Sequence, residues 1–321
     1  MEHFTYDVVA LGELLIDFTT QATDPDGYPT MAAHPGGAPA NFLAAIAKFG
    51  GKAALLGKVG TDTFGKLLTD TLRKAGVETK GLVASDEFFT TLAFVTLDEN
   101  GDREFAFARK PGADTQLLFD ELDLSIIDET RVFHFGTLSL TDEPARSTTH
   151  RAVEYAKAHG KLVTFDPNLR KPLWRDLGDA KAQMLWGLDH ADVVKISDEE
   201  VEFLFGLGAQ DGAQYILDHF PVKLVFVTCG ADGCWFQNRS ANGHVDSLKN
   251  IKVVDTTGAG DIFGGSAVWE LLQTGKAPED LAEAELREIV SFACKVAGLS
   301  TTKSGGISSV PEKRIVASKS T

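Results

Sequence analysis

The sequence predicts an α/β fold in which helices cover both faces of a mostly parallel sheet and a small β-sheet projects from it as a lid. From Val132 onward, apolar strand patterns alternate with helical patterns, which is typical of a parallel sheet with crossover helices. Nearer the N-terminus, two hairpin-like segments interrupt this alternation. We expect the lid to comprise 18–34 and 89–111, and the core to comprise 1–17, 35–88 and 112–321.

The composition disfavours nucleic acid and membranes as partners. The 321 residues are enough to bury a large core, and 46 acidic against 31 basic residues give a net charge of −15, which would repel both kinds of anionic surface. No apolar run approaches the ~18 residues of a membrane span, and the first residues lack the layout of a signal peptide, so we expect a cytoplasmic protein. The three cysteines have neither disulfide nor metal-site spacing.

An acidic residue ends the first apolar stretch. Asp7–Leu11 is predicted to form a buried strand, and the chain stays largely apolar up to Asp17. A carboxylate after such a run is costly to bury unless it binds something, so Asp17 is a candidate ligand-binding residue. The alternative is a strand-end carboxylate in water. The polar segment 19–34 is predicted to project as a hairpin.

A glycine-rich turn leads into the next helix. The segment Pro35-Gly36-Gly37-Ala38-Pro39-Ala40-Asn41 precedes the helical pattern Phe42–Phe49. Paired glycines let the backbone approach a ligand closely and can serve as a hinge. The alternative is an ordinary strand-to-helix turn.

The second lid segment is predicted to be a hairpin. Thr91–Leu97 and Arg103–Arg109 flank an Asn-Gly turn at 98–102. Strand alternation would place Phe105, Phe107 and Arg109 on one face. That face either covers a ligand or packs on a core.

The later strands end in polar turns, which are candidate binding sites because ligands bind beyond the carboxyl ends of parallel strands. In the turn 166–170, Arg170 is suited to clamp an anionic group. Ser197 and Glu200 have the spacing of a helix capping box.

The predicted strands are Val132–Phe135, Leu162–Phe165, Val193–Ile196 and Leu224–Thr228. The predicted helices are Arg146–His159, Ala180–His190, Glu199–Phe205 and Ala213–Phe220.

The most informative stretch is Val253-Val254-Asp255-Thr256-Thr257-Gly258-Ala259-Gly260-Asp261. It predicts a strand end, a tight turn and the start of an apolar helix that stops at Gly275. Unpaired N–H groups at the positive end of a helix form an anion site, for which phosphate is the usual ligand. Asp261 beside such a site is suited to take a proton from an attacking hydroxyl, and the alternative is a simple N-cap.

This motif, followed by a helix with Gly264 and Gly265, closely resembles the C-terminal signature of the ribokinase-like (PfkB) carbohydrate kinases. The turn at 35–41 is similar to the family's sugar-binding Gly-Gly-x-x-x-Asn signature, and 228–233 is similar to its Thr-x-Gly turn beside the nucleotide. The matches run from about Gly12 to Gly306. They imply a ribokinase-like three-layer α/β/α core with a β lid, acting on a small-molecule sugar and ATP with Mg²⁺.

The resemblance also implies a role for each candidate residue. Asp261 would be the catalytic base, and the amides of Gly258, Ala259 and Gly260 would form the anion hole. The expected sugar contacts are Asp17, Gly36, Gly37, Asn41, Phe105, Phe107, Arg109, Asn168 and Arg170. The expected nucleotide contacts are Lys195, Thr228, Gly230, Gly233 and the three amides. Glu200 would organise Mg²⁺ through water, although Ser197 replaces the family's asparagine, and Asp255 and Thr257 would hold a monovalent cation such as K⁺.

The string Phe165–Trp174 looks like fructokinases in particular. We therefore expect phosphorylation of D-fructose to D-fructose 6-phosphate, with a homodimer through the lid as a further expectation. The alternative substrates are 2-keto-3-deoxygluconate, ribose and an aminoimidazole riboside, since Arg109 and Arg170 could each bind a carboxylate. A different class of protein, a non-catalytic sugar- or nucleotide-binding regulator, would keep the fold without the chemistry.

Overall fold

A computed structural model describes residues 4–97 and 103–318; for 97, 103–105, 317 and 318 only the backbone is described. The strands are β1 (Tyr6–Leu11), β2 (Leu15–Thr23), β3 (Pro29–Gly36), β4 (Ala53–Gly60), β5 (Val77–Glu78), β6 (Leu82–Ser85), β7 (Leu92–Leu97), β8 (Arg103–Ala108), β9 (Thr130–Gly136), β10 (Leu162–Asp166), β11 (Val193–Ser197), β12 (Leu224–Thr228), β13 (Cys234–Asn238) and β14 (Asn242–Val245). The α-helices are α1 (Ala38–Lys48), α2 (Thr63–Lys74), α3 (Leu124–Asp128), α4 (Ala145–Ala158), α5 (Leu177–His190), α6 (Asp198–Phe205), α7 (Ala209–His219), α8 (Ala259–Thr274), α9 (Glu283–Ser300) and α10 (Lys313–Ser318).

The main sheet has the strand order β14-β13-β12-β11-β10-β9-β1-β4-β5, with β6 paired to β4. Every pair from β12 to β5 is parallel, and only β13 and β14 run antiparallel. The predicted mostly parallel sheet is confirmed.

Helices cover both faces of this sheet because its central strands are apolar on both sides. In β1, Val9 and Leu11 pack into a core with α3 to α7, whereas Val8 and Ala10 pack into a core with α1, α2, α8 and α9. A further cluster beneath α8 and α9 continues the second face. The predicted three-layer α/β/α architecture is confirmed.

A separate four-stranded sheet has the order β3-β2-β7-β8. Its centre is a parallel pair, β2 with β7, flanked by two antiparallel hairpins. Asp17 is paired with Ala93, which is paired with Phe107, so one row of residues crosses three strands. The sheet takes in Leu15 and Gly36, which lie just outside the 18–34 segment expected for the lid.

Some predicted boundaries were wrong. Val253 and Val254 form no strand; they are 55% and 58% exposed, and the Val254 N–H donates to the Thr301 carbonyl at 2.8 Å. Val253 borders a cavity and not a sheet. The turn predicted at 98–102 lies outside the described residues.

None of the helices within residues 4–97 and 103–318 has the length and apolar character to span a membrane.

Candidate active site

The candidate residues gather beyond the carboxyl ends of the parallel strands, beneath the small sheet. Glu13 follows β1, Asn168 and Arg170 follow β10, and Ser197 ends β11. This is the edge at which open α/β sheets bind ligands.

The N-terminus of α8 lies where the sequence predicts an anion site formed by the amides of Gly258, Ala259 and Gly260. Gly258, at φ 76°, is its N-cap, a left-handed conformation that favours glycine. The N–H groups of Gly260 and Asp261 donate to no acceptor among the described residues, whereas the Ala259 N–H already donates to the Thr256 carbonyl at 3.2 Å. Two free donors at the positive end of a sixteen-residue helix are well placed to bind a phosphate.

Asp261 is the third residue of α8 and not its cap, so the N-cap interpretation is wrong. Its side chain is buried, and the Asn41 Nδ2 donates to its Oδ2 at 2.9 Å. Burial raises the pKa of Asp261, and the hydrogen bond from Asn41 and the positive charges of Lys195 and Arg170 oppose that rise. A raised pKa makes a carboxylate a better proton acceptor near neutral pH.

A cavity of ≈ 140 Å³ lies between the small sheet and the N-terminus of α8. Its lining includes Asp17, Gly37, Asn41, Phe107, Asn168, Arg170 and Asp261. These seven residues, predicted from five separate segments of the sequence, are brought together.

Asp17 is the main polar group that the small sheet contributes to this cavity. Burial raises its pKa to about 7; the Arg170 charge lowers it and the Asp261 charge raises it further. Gly36 contributes indirectly, because a Cβ at this position would overlap the Asp17 Oδ2.

Gly37 brings the backbone close to the end of β1. It has φ 117°, and a Cβ there would lie 2.5 Å from the Glu13 carbonyl oxygen. The Glu13 side chain lines the same cavity, and its Oε1 accepts a hydrogen bond from the Ala38 N–H at 2.7 Å. The sequence prediction missed Glu13, although, like Asp17, it is a carboxylate in an apolar stretch.

Arg109 is not brought to this cavity. It lies just beyond β8, is 5% exposed, and donates from Nε to Asp114 at 2.8 Å and from Nη1 to Thr141 at 2.7 Å. It borders a separate cavity of ≈ 680 Å³ instead. Its guanidinium is occupied by protein partners, so the structure gives no support for a sugar contact. The predicted Phe105 contact stays a prediction, because that side chain lies outside the described residues.

A second cavity, of ≈ 530 Å³, lies on the opposite side of the same helix terminus. It contains the predicted nucleotide contacts Thr228, Gly230 and Gly233 with Ala259 and Gly260, and its walls are mainly apolar. Thr256 lines both cavities, so the first turn of α8 is the boundary between them. A phosphate bound there would be accessible from either side.

Lys195 points toward this boundary. Its Nζ lies 3.0 Å from the Asp166 Oδ2 and 3.0 Å from the position a Cβ would take on Gly260. Burial raises the pKa of Asp166, while the Lys195 charge lowers it. Asp166 was missed as a site residue, although a carboxylate at the end of an apolar strand is the same signal that identified Asp17.

The residues proposed for metal ions are engaged with the backbone. Glu200 forms the predicted capping box with Ser197, and its two oxygens accept from the Leu169 N–H at 2.7 Å and the Ser197 N–H at 2.9 Å. Asp255 accepts from the N–H groups of Thr257 and Gly305. Each Glu200 carboxylate oxygen keeps a further lone pair, which fits contact through water, whereas the Asp255 Oδ2 also accepts from the Ser304 Oγ at 3.2 Å. Across residues 4–97 and 103–318, no group of three or more His, Cys, Asp or Glu side chains forms a metal site.

The parallel sheet, the anion site and the adjacent carboxylate together define a phosphotransferase. A family model described as pfkB family carbohydrate kinase matches residues 5–313. The chain belongs to this family, and it is a sugar phosphotransferase. The predicted resemblance is confirmed.

Several fructokinases are similar over almost the full length. Fructokinase-2 of Solanum lycopersicum is 42% identical over 307 residues, covering 95% of this chain and 93% of that protein. The crystal structure of fructokinase with bound ATP from Xylella fastidiosa has a TM-score of 0.89 at 31% identity, covering 97% of both chains. A double mutant of fructokinase from Vibrio cholerae O395, with fructose, ADP and potassium ion bound, has a TM-score of 0.86 at 31% identity and 99% coverage of both chains.

Proposed function

We propose that this protein is an ATP-dependent fructokinase that converts D-fructose to D-fructose 6-phosphate. The observation that carries the proposal is the position of Asp261. This residue borders the ≈ 140 Å³ cavity at the N-terminus of α8, and the helix terminus separates that cavity from the ≈ 530 Å³ cavity. The full-length similarity to fructokinases supports fructose as the acceptor.

In this proposal, fructose occupies the smaller cavity, held by Asp17, Asn41 and Arg170. ATP occupies the ≈ 530 Å³ cavity, with its γ-phosphate at the N-terminus of α8. The hydroxyl oxygen attacks the γ-phosphorus, the bond from that phosphorus to the ADP oxygen breaks, and the hydroxyl proton passes to Asp261.

The residues around the phosphate would stabilise the charge of the transition state. The N–H groups of Gly260 and Asp261 donate to no acceptor among the described residues, and the Lys195 Nζ lies beside Gly260. Preorganised donors of this kind contribute strongly to catalysis because they need no reorganisation during the reaction. The small sheet would exclude water, so the phosphoryl group goes to the sugar and not to hydrolysis.

Mg²⁺ would neutralise the charge of the nucleotide phosphates, and Glu200 is proposed to hold the ion through water. Asp255 and Thr257 are proposed to contribute to a K⁺ site. Chelation of divalent ions should abolish turnover, and added Mg²⁺ should restore it.

The other substrates and the regulator are less well supported. Arg109 and Arg170 were both candidates to bind a substrate carboxylate. Because Arg109 is paired with Asp114, only Arg170 remains of the two. The intact Asp261 and free helix amides speak against a regulator that has lost the chemistry. A cytoplasmic location and a homodimer through the small sheet stay predictions; light scattering on the purified chain would test the dimer.

The test combines a substrate panel with an Asp261→Asn variant. Wild type should prefer fructose over 2-keto-3-deoxygluconate, ribose and an aminoimidazole riboside. The variant should bind ATP and fructose but lose about 10²–10⁴-fold in kcat. The exposed Asp211→Asn, on α7, is the control and should be unchanged. Full turnover in the Asp261 variant would remove it as the base, and preference for another sugar would reassign the substrate.

A further inference from the structure

Asn41 contacts the proposed base directly. The Asn41 side chain is 2% exposed, and its Nδ2 donates to the Asp261 Oδ2 at 2.9 Å. Its own position is fixed by the first turn of α1, where the Asn41 N–H donates to the Gly37 carbonyl at 3.0 Å. A buried hydrogen bond to an ionised carboxylate is both stronger and more directional than one between neutral groups.

Two glycines hold the amide of Asn41 in place. A Cβ on Gly258 would lie 2.9 Å from the Asn41 Nδ2, and a Cβ on Gly306 would overlap the Asn41 Oδ1. Neither position therefore has room for a side chain beside the Asn41 amide, and the Gly306 Cβ position overlaps the amide nitrogen as well as the oxygen. The two glycines come from loops almost fifty residues apart in the sequence, so the enclosure is a feature of the tertiary structure.

The Asn41 amide is oriented with its nitrogen toward Asp261. The Asn41 Oδ1 is buried and has no hydrogen-bond partner among the described residues. If the amide were rotated by half a turn, its oxygen would face the Asp261 Oδ2, and two acceptors would repel unless the carboxylate carried a proton. The observed orientation favours the ionised form of Asp261, which is the form a base requires.

We infer that Asn41 is a positioning residue for Asp261, and that the contacts with Gly258 and Gly306 hold its amide so that the Asp261 Oδ2 is occupied and Oδ1 is left to accept the substrate proton. The inference rests on the proposed role of Asp261 as the base. It adds a function to a residue that the family resemblance connects only with the sugar.

The electrostatic surroundings of Asp261 support this role. The hydrogen bond from Asn41 lowers the pKa of Asp261 and opposes the larger effect of burial. The titratable groups that influence or are influenced by Asp261 come from several elements: Lys195, Arg170, Glu200, Asp17 and Asp166. Removing the Asn41 donor removes an effect that lowers the pKa of Asp261 and leaves these charges in place. The pKa of Asp261 should therefore rise, and the acid limb of the pH profile of kcat should move to higher pH.

The first test compares Asn41→Ala and Asn41→Asp by their kcat at saturating fructose and ATP across pH. Loss of one hydrogen bond to a charged group should lower kcat about 10- to 100-fold. The acid limb should move to higher pH in the Ala variant and further in the isosteric Asp variant, because a second carboxylate opposes ionisation of Asp261. A residue that only contacts sugar would raise KM and leave the acid limb of kcat in place, which would overturn the inference.

The second test leaves Asn41 unchanged. Gly306 has φ −83°, so Gly306→Ala introduces no left-handed strain and acts through its overlap with the Asn41 amide. It should shift the acid limb in the same direction as Asn41→Ala, and it should have little further effect on kcat in an Asn41→Ala background. Gly208→Ala is the matched control, since Gly208 has φ −73° and no atom within 4 Å of its Cβ position.

The outcomes separate the two proposals. If Asp261→Asn retains turnover, the proposed base is wrong whatever Asn41 does. If Asp261→Asn is inactive but the Asn41 and Gly306 variants keep the wild-type acid limb, the base stands and the positioning role of Asn41 is wrong. Additive effects of Gly306→Ala and Asn41→Ala would show that Gly306 acts elsewhere, and would overturn its part in holding the amide.

Discussion

Arg109 and Asp114 form an ion pair at the base of the small sheet, with Nη2 and Oδ2 2.7 Å apart and both side chains at most 3% exposed. The pair joins two structural units. Thr91, just before β7, donates to Asp114, and the Arg109 Nη2 donates to the Leu138 carbonyl at 2.8 Å beyond β9. Phe107 and Leu138 both line the proposed sugar cavity, so Arg109 connects two of its walls without entering it.

Asp114→Ala should therefore destabilise the protein strongly. It leaves the Arg109 guanidinium buried without its counter-ion, which typically costs about 3–5 kcal/mol in the free energy of unfolding. Urea denaturation would measure the loss. Asp179→Ala, which removes a more exposed partner of Arg146, is the control and should have a much smaller effect. Equal, small losses in the two variants would show that the buried pair is not a structural anchor.

Glu13→Gln should make the protein relatively more stable as pH rises. Burial raises the pKa of Glu13 from 4.5 to about 8. Between these values the folded protein keeps a proton that the unfolded chain releases, so rising pH costs the wild type up to ~1.4 kcal/mol per pH unit through this group. Glutamine removes this dependence and keeps an oxygen to accept from the Ala38 N–H.

The measurement is the free energy of unfolding of both proteins at several pH values from 5 to 8. The free energy of unfolding of the variant, minus that of the wild type, should increase as the pH rises from 5 to 8. The exposed Glu154→Gln serves as the control and should run parallel to the wild type. A constant difference between Glu13→Gln and the wild type would contradict the raised pKa.

Glu200→Gln should weaken the binding of fructose more than that of Mg²⁺. The carboxylate accepts from the Leu169 and Ser197 N–H groups, whereas a glutamine offers one acceptor and places an NH₂ group against a donor. Leu169 lies between Asn168 and Arg170, so we expect KM for fructose to rise about 10-fold, corresponding to roughly 1.4 kcal/mol of binding. The Mg²⁺ concentration for half-maximal rate should rise by a smaller factor, because Glu200 is proposed to contact the ion only through water.

The exposed neighbour Glu199→Gln is the control for this variant. If the Mg²⁺ requirement rises steeply while KM for fructose stays constant, the main role of Glu200 is to organise the metal.

Local signals in the sequence were sufficient for the fold and for most of the site. The alternation of strand and helix patterns predicted the parallel sheet, because its strands are apolar on both faces and its crossovers are amphipathic. The turn before α8 was predicted from its glycines and its carboxylate. Asp17 was identified because burying a carboxylate in an apolar stretch costs free energy unless the carboxylate binds a partner.

The parts that were missed depend on side-chain contacts that no periodic pattern in the sequence indicates. Asp114, the partner of Arg109, is five residues away in the 3₁₀ helix Ala113–Gln116, and the sequence does not show that the guanidinium turns inward to it. The pairing of Lys195 with Asp166 depends on two adjacent strand ends. Val253 and Val254 misled the prediction because β-branched residues also occur outside sheets: Val253 borders a cavity, and Val254 is exposed in a loop.

The row of residues across the small sheet has a mechanical consequence. Asp17, Ala93 and Phe107 are neighbours on three hydrogen-bonded strands, with His34 next to Asp17 on the fourth. Asp17 and Phe107 therefore cannot separate from each other without breaking the ladder. Any displacement of the small sheet that admits a sugar to the proposed site would have to carry both residues together.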